Sequence, residues 1–588
     1  MTSIPSVQSL QIRMLRTALA FTAACLTNCA VSPATVPPPT ATTQSTATAG
    51  RYAVAPHGMV VSASSIASDV GRNVLAGGGN AVDAAIATGF ALAVTFPFAG
   101  NIGGGGFMVI RFPDGRATTF DFREAAPQLA GPEMFLDSAG NYSFTIHHRS
   151  YKSVGVPGTV AGFALAHQKY GKTDWARLVA PAERLAREGF AVPSGLAGSL
   201  AGMQKDFQEY PASVAAFSKN GQPYVAGEIF RQPDLARTLA RIRDHGRDGF
   251  YLGETARLLA DDMRRNGGLI TAQDLANYQA KERAPIRGSY RGYEIVSMAP
   301  PSSGGTALIE MLNILEGYDL GSYGHNSPKY VHLVAEAMRR AFVDRARYLG
   351  DPDFVEAPID RLKSKSYAAA LRRTIDDNRA TPSSPAQIAR GFESSETTHY
   401  SVVDAGGMAV SVTYTLEFGY GLGAVVSGAG FLLNNEMGDF NARPGVTDST
   451  GSIGTPANLA RPGKRMLSSM TPTIVARNGQ LVAVVGSPGG RTIINTVLQV
   501  ILNQVDFKMG IQNAVTAPRF HHQWEPDILS IEDNGVPLST VSALEAMGYR
   551  IRMRGTQGTA HSIQIDPQTG SRRGFADPRD ADAGAAGY

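Results

Sequence analysis

At residue 397 the chain changes character abruptly, and this break constrains the fold more than any other feature of the sequence. Residues 376–396 (DDNRATPSSPAQIARGFESSE) carry two prolines, four serines and little apolar surface to bury. That is the pattern of an exposed, mobile loop, long for a connection inside a compact domain. From Thr397 onward the pattern is that of strands. His399–Asp404 and Met408–Thr415 flank Ala405-Gly406-Gly407, which predicts a β-hairpin. In its second strand Met408, Val410, Val412 and Tyr414 share one face, and Ala409, Ser411, Thr413 and Thr415 the other.

Other elements are signalled as clearly. Gly79-Asn80-Ala81-Val82-Asp83 opens an Ala-rich helix running towards Phe96. Ser327 caps and Pro328 starts a helix that ends near Leu349-Gly350, with Val331, Val334, Met338 and Phe342 on one side. Leu481–Val485 reads as a short strand, followed by Gly486-Ser487-Pro488-Gly489-Gly490 and an apolar helix from Thr492 to about Asn503. No internal repeat is evident. At 588 residues the chain is too long for a single core, and 43% apolar with 18% charged residues marks it as globular. A net charge of +4 without a basic stripe gives no support to nucleic-acid binding.

The N-terminus predicts export. Arg13 and Arg16 precede the apolar run Ala18–Leu26, too short for an ordinary membrane span. Leu26-Thr27-Asn28-Cys29 resembles a bacterial lipoprotein signal, with Asn28 where Gly or Ala is usual, so lipidation of Cys29 and plain signal cleavage both stay open. Residues 1–29 are thus read as the export signal, and the Pro/Ser/Thr/Ala-rich residues 30–51 as a solvated tether. The expected location is the periplasm, with a lipid anchor to a membrane if Cys29 is modified. Cys25 and Cys29 are the two cysteines of the chain, so everything after Ala30 must work without thiols.

A hydroxyl at the junction of a polar loop and a strand suggests one chemistry open to such a chain. The Thr397 hydroxyl can attack the Glu396 carbonyl, and hydrolysis of the resulting ester frees a new N-terminus. The new α-amine, with a reference pKa of about 7.7–8.0, then serves as the base for its own hydroxyl. Taken alone, Thr397 reads as an ordinary threonine that starts a strand.

Neighbouring motifs extend this reading. Thr397-Thr398-His399-Tyr400-Ser401-Val402-Val403-Asp404 resembles the small-subunit start of the γ-glutamyltransferases. The likeness continues through Leu432–Phe440, Leu467–Thr473, Gly486–Gly490, Ala517–Trp524 and Ala576-Asp577-Pro578-Arg579. Upstream, Gly103–Met108, Asp121-Phe122-Arg123-Glu124 and Val156-Pro157-Gly158-Thr159 fit the large-subunit side. The ordered set spans roughly Ala53 to Tyr588 and is far more specific than any one motif.

This resemblance implies an α/β fold of the N-terminal-nucleophile hydrolase type, a four-layer αββα sandwich of two stacked antiparallel sheets. It implies a large subunit, 52–396, and a small subunit, 397–588, that form one heterodimeric unit after autocleavage between Glu396 and Thr397. The implied substrates are glutathione and other γ-glutamyl compounds, with water, amino acids or peptides as acceptors. Thr397 is the implied nucleophile, Thr415 its hydrogen-bonding partner, and Gly489 and Gly490 the oxyanion hole. Arg123, Ser468 and Ser469 would hold the substrate's α-carboxylate; Glu417, Glu436 and Asp439 would hold its α-ammonium. A guanidinium fork suits a carboxylate, and acids suit a cation. No cofactor and no metal is implied.

Each of these residues has a plainer reading on its own: Arg123 a surface salt bridge, Ser468-Ser469 a turn, Glu436 and Asp439 solvated acids, Gly486–Gly490 a simple turn without the Gly-Lys-Ser/Thr of a phosphate loop. His521-His522 lacks the His-Glu-x-x-His spacing of a zinc site, and Gly103–Gly106 has Met108 where a dinucleotide loop has its third glycine. One departure from the family stands out. Some members close the pocket with a lid tyrosine, whereas Asn441–Leu467 contains no aromatic residue. Two other functions remain as alternatives: a glutaryl- or cephalosporin-type acylase of the same superfamily, and a non-catalytic exported binding protein.

Overall fold

A computed structural model describes residues 50–383, 397–446 and 454–588, all within one compact unit, Ala47–Tyr588. The export signal, Cys29, nearly all of the tether, Glu396 and part of the lid segment lie outside the described residues.

The hairpin after the break lies in the middle of a seven-stranded sheet. Thr398–Val403 and Ala409–Thr415 pair with each other, and they are flanked by Met59–Ser62 on one side and Gly105–Arg111 on the other. Gly584–Gly587 completes one edge; Ala117–Phe122 and Lys281–Arg283 complete the other. A second seven-stranded sheet runs in the order Tyr52–Ala55, Arg572–Phe575, Ser562–Ile565, Gln480–Val485, Thr473–Arg477, Tyr293–Ser297 and Ile286–Tyr290. Every pairing in both sheets is antiparallel.

Alternation along the strands divides the interior into three apolar layers. Between the sheets pack Met59, Val61, Phe107, Val109, Val296, Ile474, Val484 and Ile563. Their neighbours Val60, Met108, Ile110, Val410, Val412 and Tyr414 face outward against a helical layer that includes Ala81–Thr95. On the far side Ile295, Val475, Ala483 and Val485 meet Gly304–Leu315, Pro328–Tyr348 and Thr492–Val505. The result is a four-layer αββα sandwich.

Local signals account for the helices. Asn80 and Asp83 form a reciprocal capping box on Ala81–Thr95, and that helix is buried on every side. Ser327 accepts from Tyr330 N, with Pro328 in the first turn. Two expectations need refining. The polar face of the hairpin is buried between the sheets, where Ser411 Oγ donates to Val485 O and accepts from Thr473 N. The described part of the polar segment is docked rather than free. Thr381 donates its N–H and hydroxyl to the buried Glu336, and Ser383 N donates to Asp527, because a buried carboxylate requires donors.

Buried imidazoles give this fold a definite acid response. Burial, helped by the Arg339 cation, pushes the pKa of His522 down from 6.5 to about 4. Between those values the unfolded chain binds a proton that the folded chain refuses, so stability falls as pH drops through the window. The slope at one site is about 1.4 kcal/mol per pH unit. A His522→Asn chain lacks this term. In urea melts the wild-type advantage over His522→Asn therefore narrows by about 2 kcal/mol between roughly pH 7.5 and pH 5. A gap that does not change with pH would show that this imidazole titrates normally.

Candidate active site

Thr397 is buried at the head of strand Thr398–Val403. The register Thr398↔Tyr414 extends by one step to set Thr397 opposite Thr415. Beside them the turn Gly486–Gly490 leads into helix Thr492–Val505. Gly489 has φ 128° and Gly490 φ 54°, conformations that a side chain rarely adopts. A Cβ on Gly489 would also come within 2.4 Å of Thr492 Oγ1. Thr492 N and Ile493 N donate to Gly489 O and Gly490 O at 3.0 and 3.1 Å, which ties the turn to the positive end of the helix dipole. The turn and strand Thr398–Val403 are locked together. Gly486 lies against the His399 ring, where a Cβ would sit 2.2 Å from the nearest ring atom. His399 is held by Thr413 Oγ1 at 2.9 Å and Ser401 Oγ at 3.1 Å.

A small cavity of about 20 Å³ opens from Thr397 and is lined by Arg123, Thr415, Glu417, Glu436, Asp439, Ser468, Ser469 and Gly490, with Met470 and Ile493. Every predicted site residue in the described regions is therefore here except Gly489. Gly489 faces an adjoining cavity of about 340 Å³ that shares Thr397.

Arg123 follows strand Ala117–Phe122 and is fully buried. Its guanidinium forms close ion pairs with Glu436 and Asp439, which the short helical turn Glu436–Asp439 brings side by side, and lies 3.7 Å from Glu124. Burial alone would lower its pKa, but these carboxylates outweigh burial and hold it above its ordinary value. Asn434 fixes the acidic turn by donating to Gly103 O and Gly155 O while accepting from Glu436 N. A Cβ on Gly103 would lie 2.1 Å from Leu432 O and one on Gly104 2.0 Å from Thr415 O, so the glycine run serves close packing rather than a nucleotide loop.

Glu417 has φ 80°, unusual for a residue with a side chain and typical of strained functional positions. Its N–H donates to Thr415 Oγ1 at 3.0 Å, and its carboxylate lies 3.1 Å from His148 Nδ1. His148 stacks on Phe418, and burial pushes its pKa down to about 4, so it is neutral around pH 7. Ser468 Oγ accepts from Met470 N, and Ser469 Oγ accepts from Arg345. Among the described residues no group of three or more His, Cys, Asp or Glu side chains is placed to hold a metal ion.

Three neighbours of this pocket escape sequence reasoning: Glu124, His148 and Arg345. Arg345 did leave a signal. It continues the apolar stripe Val331, Val334, Met338, Phe342 at helical spacing, and a charge inside such a stripe must have a buried partner. The sequence around His148 carries no comparable mark.

Residues 67–587 match the family model for gamma-glutamyltranspeptidase. The chain is 48% identical over 538 residues to the glutathione hydrolase proenzyme of Escherichia coli (strain K12), covering 91% of this chain and 92% of that protein. Its fold is similar to that of a cephalosporin acylase from Bacillus halodurans, with a TM-score of 0.80 and 27% identity over 95% of this chain and 99% of the other. It is also similar to gamma-glutamyltranspeptidase of Helicobacter pylori, with a TM-score of 0.53 and 48% identity over 54% of this chain and 91% of that one.

Proposed function

The chain belongs to the γ-glutamyltranspeptidase family, and from that premise we propose that it is a γ-glutamyltransferase and glutathione hydrolase that cleaves itself before Thr397. The observation that carries the proposal is the small cavity in which Thr397 faces one buried guanidinium and several carboxyl groups. A γ-glutamyl group ends in an α-carboxylate and an α-ammonium, and this cavity has groups of both complementary signs.

In the first step the Thr397 hydroxyl attacks the carbonyl of Glu396, the peptide C–N bond breaks, and the ester that forms is hydrolysed by water. The freed α-amine of Thr397 then takes the hydroxyl proton as the oxygen attacks the γ-amide. Gly489 and Gly490 N–H groups receive the oxyanion, each such donor being worth about 2.7–4 kcal/mol in the transition state. Thr415 keeps the nucleophile in register. The same α-amine returns the proton to the departing amine. Water or the amine of an amino acid or peptide resolves the acyl-enzyme. Arg123, Ser468 and Ser469 hold the α-carboxylate, and Glu417, Glu436 and Asp439 the α-ammonium. The fragments 52–396 and 397–588 stay joined because strands from both are interleaved in each sheet. Residues 1–29 support export to the periplasm, by plain signal cleavage or with a lipid on Cys29.

The likeness to a cephalosporin acylase favours a second reading, in which a glutaryl-type side chain is the acyl group. A glutaryl group has no α-ammonium and so forgoes the contacts that Glu417, Glu436 and Asp439 would make with one, and a site that hydrogen-bonds a polar group discriminates against an analogue lacking it. Measured kcat/KM on γ-glutamyl and glutaryl p-nitroanilides separates the two. We expect the γ-glutamyl compound to lead by about 100-fold or more; a lead for glutaryl overturns the assignment.

A further inference from the structure

We propose that Arg345 is a positioning residue for the substrate's α-carboxylate, acting through the Ser469 hydroxyl; the inference rests on the γ-glutamyl reading of the cavity. Arg345 lies on helix Pro328–Tyr348 and is only 2% exposed. A guanidinium this deeply buried must be satisfied by acceptors. One of its nitrogens donates to Ser469 Oγ at 3.1 Å, and its Nε donates to Ser303 Oγ at 2.8 Å. Ser303 in turn donates its hydroxyl and its N–H to Ser468 O, at 2.6 and 2.7 Å. One cation thus organises both serines, Ser469 through its hydroxyl and Ser468 through its carbonyl.

The direction of the Ser469 bond has a chemical consequence. Arginine has only donors, so Ser469 Oγ must accept, and towards a carboxylate in the cavity it acts as a donor. A hydroxyl that accepts from a cation is polarised and gives a stronger hydrogen bond.

The test is kinetic, on γ-glutamyl p-nitroanilide, with Arg345→Gln in the wild-type and Ser469→Ala backgrounds. We expect Arg345→Gln to raise KM about tenfold with kcat changed less than about threefold. In the Ser469→Ala background the same change should move KM less than about twofold, since the route through the hydroxyl is gone. Arg345→Lys, which keeps the charge but loses the fork, should restore part of the loss. An unchanged KM, or an equal effect in both backgrounds, overturns the proposal. If Arg345→Gln does not fold, Ser303→Ala serves instead. It loosens the same guanidinium, and it should raise KM about threefold at normal fragment yield; an unchanged KM again overturns the proposal. Wild-type turnover is the internal control. Its absence sinks the γ-glutamyl reading itself, whereas turnover with an unmoved variant sinks only the role of Arg345.

Discussion

Thr397→Ala should leave a single full-length chain on a denaturing gel and lower turnover by about 10⁶-fold, the scale seen when a covalent nucleophile is removed. One atom carries both effects. Without the hydroxyl there is no attack on Glu396, so no new N-terminus forms; without the new α-amine no base is left for amide attack. Wild type should run as two fragments that co-purify, because Thr398–Val403 is held between Met59–Ser62 and Ala409–Thr415 in one continuous sheet. N-terminal sequencing of the smaller fragment should begin at Thr397. A start at Thr398, or turnover by the alanine chain, would move the nucleophile. A wild type that stays in one piece and inert would instead support a non-catalytic binding protein.

Arg123→Leu should cut kcat/KM on γ-glutamyl p-nitroanilide by about 10²–10³-fold while leaving self-cleavage intact. The guanidinium has carboxylates on three sides, those of Glu124 and Glu436 fully buried and that of Asp439 partly so, and removing one partner of a buried pair typically costs about 3–5 kcal/mol. The acids left behind also repel the α-carboxylate, so the loss falls mainly on KM. Arg123→Lys should recover little, since one ammonium cannot reproduce a fork that spans Glu436 and Asp439. In the proposed mechanism self-cleavage uses the Thr397 hydroxyl and no α-carboxylate, so fragments should appear normally. KM within about twofold of wild type would remove Arg123 from the substrate site.

Much of the fold was legible because its signals are local. The break at 397, the alternation from Met408 to Thr415, the Ser327 cap and the glycine turn before Thr492 are each written in a few adjacent residues. They correspond to a strand start, a central hairpin, a capped helix and a helix N-terminus. The family resemblance also named the residues that the cavity brings together. It could not say how they meet. Arg123 and Glu436 are 313 positions apart, and nothing local shows that the cation and two of the acids expected to bind opposite ends of a substrate bind each other. Alternation showed that Ser411 and Thr413 share a face, but not that a second sheet covers it.

By itself, then, the sequence determined many of the elements, the strand start beside Thr397, and a body whose chemistry must rely on oxygen and nitrogen groups. Only the tertiary structure decided which charges became partners. Hydrogen-bond caps and side-chain periodicity act over one or two turns of chain, whereas burial and ion pairing depend on whatever surface folds against a residue. His148 against Glu417 and Arg345 behind Ser469 exist only once helices from distant parts of the chain pack onto the same pocket.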